Sequence, residues 1–248
     1  MVTGLLKKGF TAGAIVVGAE LAYAVLRPVP ELAEFDPSGL FGDPGLPELR
    51  VVVLGDSSVT APGVNGPQDI WVSLLCQRIA ETWRVDLRSY AVSGSKASDL
   101  IRSQLEPALA SRPHLVLVSV GANDAIKGVT HRAFEENMDR LLSALEGTGA
   151  LIITSGVGDM GTIPRLYPPL RNMMTRRSAI FDRIHHEVAG RHGAYVVDQR
   201  SDNPSLWYED PGLWSADLFH VSPAGHRRWA DSAWRTLEPL LPGLHERT

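Results

Sequence analysis

Four short polar clusters in this 248-residue chain carry side chains suited to acyl chemistry. Ser57 lies in Gly55-Asp56-Ser57-Ser58, and a serine hydroxyl is a poor nucleophile until a base takes its proton. Histidine is the side chain best tuned for that at neutral pH, and His220 closes the cluster Asp217-Leu218-Phe219-His220. A histidine base needs a carboxylate on its other nitrogen to set tautomer and orientation, and one tight turn brings Asp217 to His220. The oxyanion that forms on attack needs donors fixed in advance. The backbone N–H groups of Ser57 and of Gly94, in Ser93-Gly94-Ser95, fit that need, as does the amide of Asn123 in Gly121-Ala122-Asn123-Asp124. Gly94 has no side chain to block a close approach. Asp56 is expected to hold the turn's backbone, and Asp124 reads equally well as part of a helix start.

The elements that must position these clusters follow from the apolar pattern. Val51–Leu54 is a short, wholly apolar run closed by Gly55, as expected for a central parallel strand. Further strands are predicted over 85–92, 114–120, 150–154 and 194–198. Amphipathic helices are predicted between them over 68–83, 97–110, 132–146 and 172–191. A last helix runs to about Leu237, with Ser222 as N-cap and Pro223 in its first turn. Five strands alternating with helices imply a three-layer α/β/α domain around a five-stranded parallel sheet. Ligands of such sheets sit outside the carboxyl ends of the strands, so three clusters fall on the active rim and the loop before the last helix joins them there.

These clusters, in this order, resemble the blocks of the SGNH (GDSL-type) hydrolase superfamily: Gly55-Asp56-Ser57, Gly94 within Ala91-Val92-Ser93-Gly94, Gly121-Ala122-Asn123-Asp124, and Asp217-Leu218-Phe219-His220. The resemblance covers about residues 50–240. It implies a flavodoxin-like strand order, Ser57 as nucleophile, His220 as base and Asp217 as its partner. It further implies an oxyanion hole of Ser57, Gly94 and Asn123, and no metal or organic cofactor. The expected activity is a serine esterase or lipase-type hydrolase. Acyl transfer or deacetylation on a glycan or lipid would use the same residues, and a non-catalytic envelope binding module is the alternative of another class. Two positions depart from the pattern: Ser58 replaces the usual leucine, where it bears on the pocket floor, and Val221-Ser222-Pro223 displaces the proline that often follows the histidine.

Other motifs carry less. Gly156-Val157-Gly158-Asp159-Met160-Gly161 matches G-x-G-x-x-G, but Pro164, Pro168 and Pro169 forbid the helix that should receive a pyrophosphate. His185, His186 and His192 have no zinc-ligand spacing and read as a solvated face. No G-x-S-x-G is present. Two loops, 156–171 and the aromatic stretch 207–214, read equally as pocket walls or as cover for the sheet edge.

Residues 1–26 are expected to be a signal peptide or membrane anchor. Lys7-Lys8 precede an apolar run over 10–26 broken only by Thr11 and Glu20, the charge order of an exported chain. Three readings compete: cleavage after Ala22-Tyr23-Ala24, retention as a short anchor, and a helix packed on the domain. Membrane association is therefore expected through residues 9–26, with the protein exported, as an anchored or a secreted form. Residues 27–48, rich in proline and glycine, read as a linker to a catalytic domain over 49–248. Against 28 acidic residues there are 24 lysines and arginines, so no basic excess exists to track a nucleic acid. The one cysteine, Cys76, allows neither an internal disulfide nor a cysteine-based zinc site.

Overall fold

The computed structural model describes residues 18, 20, 23, 26–200 and 204–244. The sheet has six strands: β1 (Gly39–Phe41), β2 (Glu48–Gly55), β3 (Arg84–Ser89), β4 (Leu115–Ser119), β5 (Leu151–Ser155) and β6 (Tyr195–Val197). Their order is β1-β3-β2-β4-β5-β6, parallel throughout except for β1, which pairs antiparallel with β3. The five expected strands are all present, and without β1 their order is the flavodoxin-like one. The count of five is corrected to six. The added strand lies in the stretch read as linker, where three residues without an apolar period still satisfy their backbone on the free edge of β3.

The helices are α1 (Ser57–Thr60), α2 (Trp71–Ile79), α3 (residues 97–110), α4 (Ala122–Ile126), α5 (His131–Glu146), α6 (Leu170–Arg191), α7 (Pro204–Glu209) and α8 (Pro223–Leu237). Helices α2 and α8 cover one face of the sheet, where Val51, Val53 and Leu117 meet Leu75, Ile79 and Ala233. Helices α3, α5 and α6 cover the other, where Val52, Leu54 and Val118 meet Leu100, Phe134 and Phe181. Successive residues of β2 thus feed opposite cores, which is why its whole run must be apolar. Side-chain caps start α5 and α8: Thr130 accepts from the Ala133 N–H at 3.2 Å and Ser222 from the Gly225 N–H at 3.3 Å. Each such cap stabilises by about 1 kcal/mol. The anchor-or-signal expectation lies largely outside the described residues. Among the described residues no helix is long and apolar enough to cross a membrane.

Candidate active site

At its end β2 turns directly into α1. Asp56 caps that helix, accepting the Ser58 N–H at 2.9 Å, and Ser57 becomes its first residue, whose N–H has no intrahelical partner. Gly55 is needed here because a Cβ would sit 2.9 Å from the Ser119 carbonyl oxygen of β4. Gln104, 1% exposed, accepts the Gly55 N–H at 2.9 Å and donates to its carbonyl at 2.9 Å. The same amide nitrogen reaches Ser95 Oγ at 3.2 Å, so one side chain ties the turn after β3 to the end of β2, two residues before Ser57. Sequence reading missed Gln104. The available signal was its place at i+4 from Leu100 and i−4 from Ala108, both fully buried positions of α3.

Asn123 stands in α4, just after β4. It donates through Nδ2 to Asp56 Oδ2 at 2.9 Å, which occupies one of its two N–H groups and leaves the other. Burial pushes the Asp56 carboxyl up from its ordinary value, against the hydrogen bonds from Ser58 and Asn123. Asp124, the next residue, is fully buried; its Oδ2 accepts the Ala97 N–H at 3.0 Å, whereas its Oδ1 has no partner. Burial pushes this carboxyl up to about 6.

The loop before α8 is held by a Trp214–Val221 bridge and by Ser215 N–H to the His220 carbonyl at 2.8 Å. Inside it, Asp217 Oδ1 accepts from Ser215 Oγ at 2.6 Å and from the Phe219 and His220 N–H groups at 2.9 Å each. Oδ2 lies 2.6 Å from His220 Nδ1. Burial alone would raise the Asp217 carboxyl, but the bonds from His220, Ser215 and the two backbone groups hold it well below the ordinary range. Facing this carboxylate, the neutral imidazole would carry its proton on Nδ1 and its lone pair on Nε2. Behind the loop, burial and the neighbouring His220 push His226 down to about 3, so it stays neutral and accepts the Trp71 N–H at 3.3 Å.

Ser57, Asn123 and His220 line one cavity of about 150 Å³. Its other walls are mainly apolar, with Val157, Met160 and Ile163 from the loop after β5 and Trp207, Trp214 and Trp229, while Asp159, Gln199 and Arg200 supply a polar part of the lining. Both loops left open by the sequence therefore contribute walls, and Tyr208 joins them by donating to Asp159 Oδ2 at 3.0 Å. The glycine-rich segment 156–161 is part of this wall. Ser58 also lines the cavity, its hydroxyl sharing a 2.7 Å hydrogen bond with Ser119. Two expected features are not drawn together. Gly94 does not line the cavity; its φ of 75° favours glycine, and its carbonyl accepts Lys127 Nζ at 2.6 Å. Among the described residues, Ser57 Oγ makes no hydrogen bond to His220. The histidine face of α6 is corrected at one position. His185 is fully buried and shares a hydrogen bond with Thr154, because α6 turns that residue onto the sheet. Among the described residues no group of three or more His, Cys, Asp or Glu side chains is placed to hold a metal ion.

The model of the GDSL-like lipase/acylhydrolase family matches residues 53–228. The chain belongs to this family. One relative, the esterase TesA of Pseudomonas aeruginosa, is 28% identical over 195 residues, covering 77% of this chain and 89% of its own length. A crystal structure of TesA superposes with a TM-score of 0.65 at 25% identity, over 77% of this chain and 99% of that one. The acetylxylan esterase Axe2 of Geobacillus stearothermophilus shares the fold, with a TM-score of 0.60 at 17% identity over 79% and 95% of the two chains. This GDSL-family protein is accordingly an ester-cleaving hydrolase.

Proposed function

We propose that the protein is a serine esterase working through an acyl-enzyme, with Ser57 as nucleophile, His220 as general base and Asp217 as its orienting partner. The observation that carries this reading is the 2.6 Å contact between His220 Nδ1 and Asp217 Oδ2, on a loop that sets His220 in the same cavity wall as Ser57 and Asn123. Ser57 Oγ attacks the ester carbonyl carbon as its proton passes to His220 Nε2. The carbonyl oxygen becomes an oxyanion, met by the Ser57 N–H and the second N–H of Asn123, with Gly94 as a further donor on the strength of the family resemblance. Collapse expels the alcohol, which takes the proton from His220. Water then attacks the acyl-enzyme with His220 again as base, releasing the carboxylic acid and restoring Ser57. The open Ser57–His220 pair is compatible with this role, because catalytic hydrogen bonds of free enzymes often close only when substrate arrives.

The apolar walls suit the acyl group. The cavity volume of about 150 Å³ is small, which favours short acyl chains. Hydrolysis of nitrophenyl esters of increasing chain length tests both parts. Turnover should peak at short chains, and Ser57→Ala should lower it by at least on the order of 10³-fold. Full activity in Ser57→Ala, or no labelling of Ser57 by a fluorophosphonate, overturns the reading. Export is proposed on the order of Lys7-Lys8 and the apolar run after them, and the intact mass of the protein recovered from the envelope tests retention against cleavage after Ala24.

A further inference from the structure

Asp217-Leu218-Phe219-His220 is a turn under backbone strain. Leu218 has a φ of 59°, a left-handed conformation that costs a residue with a Cβ, so contacts around the turn must hold it. One of those contacts comes from far along the chain. Arg165, 6% exposed, donates through Nη1 to the Asp217 carbonyl at 3.1 Å, and its backbone N–H donates to the Leu218 carbonyl at 3.2 Å. Both bonds end on the stretch of backbone that sets where the Asp217 carboxylate and the His220 ring stand. Through Nη2 the same guanidinium donates to the carbonyl of Arg27, before the folded domain begins.

The loop that carries Arg165 is gripped by the same N-terminal stretch. Pro168 and Pro169 have no N–H, so the donors around them at the start of α6 are those of Tyr167 and Leu170. Glu20 takes both, Oε1 accepting the Tyr167 N–H at 2.6 Å and Oε2 the Leu170 N–H at 2.9 Å. A carboxylate at the N-terminus of a 22-residue helix is also favoured by the helix dipole. Tyr23 packs edge-on against Tyr167, with ring centroids 6.2 Å apart. The charged residue that interrupts the apolar N-terminal run therefore has a partner on the active rim.

We propose that Arg165 is a positioning residue for His220, and that Glu20 and Arg27 strap the loop that carries it, making the segment before the folded domain part of the working site. The inference rests on the reading of Ser57, His220 and Asp217 given above. Its test uses the full-length chain and a short-chain nitrophenyl ester. Arg165→Met should lower kcat by between about tenfold and 10²-fold with KM held within about twofold, the pattern of a displaced catalytic group. The downfield proton resonance of the His220 Nδ1–H should broaden or move upfield in the same variant. Arg165→Lys, which keeps a charged donor, should recover part of kcat. Glu20→Ala should lower kcat in the same way by roughly two- to fivefold. A merely structural role would shift the unfolding midpoint and leave kcat and the resonance of the folded protein alone. Wild-type kcat and an unmoved resonance in Arg165→Met overturn the proposal. If that variant does not fold, wild-type values of both in Arg165→Lys and Glu20→Ala overturn it. Activity surviving in Ser57→Ala would remove the esterase mechanism itself, whereas an inactive Ser57→Ala beside a fully active Arg165→Met removes only the strap.

Discussion

Asp217, in the loop before α8, and Asp124, in α4 just after β4, both lie on the rim at the strand ends, are 3% and 0% exposed, and yet meet opposite fates. Asp217 receives three hydrogen bonds on Oδ1 and faces His220 with Oδ2, and its carboxyl is held well below the ordinary range although burial opposes that. Asp124 accepts the Ala97 N–H on Oδ2, has no partner on Oδ1, and is pushed by burial up to about 6. Burial raises both carboxyls, so the number of donors decides the charge. The loop that carries His220 is built to keep a negative charge. The β4 end, which orients Asn123, is built around a carboxyl that ionises reluctantly.

Substitutions that strip this difference should differ in size. Asp217→Asn is expected to have the largest effect, a fall in kcat on the order of 10⁴-fold with the fold intact, because an amide opposite Nδ1 no longer enforces the working tautomer. A pH–rate profile and circular dichroism of the variant check both halves, and near-normal turnover would break the comparison. Asn123→Ala should cost on the order of 10²–10³-fold in kcat, the loss of one oxyanion donor. It also removes the Asp56 Oδ2 partner, so urea unfolding should show a smaller loss of stability alongside.

Asp124→Asn should show the smallest effect, on stability rather than on rate, and its sign depends on pH. The folded protein holds the Asp124 proton more tightly than the unfolded chain, so this residue adds no penalty below about pH 4. Stability is lost as pH rises toward about 6, after which the loss is constant. Removing the charge should therefore stabilise by about 1–3 kcal/mol at pH 8 relative to pH 4. Asp217 has the opposite slope: its stabilising contribution is present above the ordinary carboxyl value and fades as pH falls toward its depressed one. Urea unfolding of Asp124→Asn at pH 4 and pH 8 measures the difference, and an equal ΔΔG at the two pH values would contradict it.

The pattern of strands and helices was legible because both layers are local. The alternating cores fed by β2 require an unbroken apolar run, and Ser222-Pro223 marks a helix start by its own chemistry. Strand β1 was illegible, since Gly39, Leu40 and Phe41 carry no period and become a strand only because β3 has a free edge. His185 was misread as solvated because adjacent histidines on one helix point to different sides, and only the packing of α6 on β5 says which side is the core. Of the candidate site, the shared location of Ser57, Asn123 and His220 and the pairing of Asp217 with His220 were legible by type and order. Gln104, Arg165 and Glu20 were not, because each works through a backbone group more than 48 residues away.

The amino-acid order alone determined the candidate reacting side chains, most of the elements beneath them and the family to which the chain belongs, since residue chemistry, apolar period and turn signals act within a few neighbours. Tertiary structure decided which carboxyl keeps its charge, which loops wall the cavity, and what holds the strained turn at Leu218. Those properties depend on burial and on donors brought in from distant segments, and no local stretch of chain contains them.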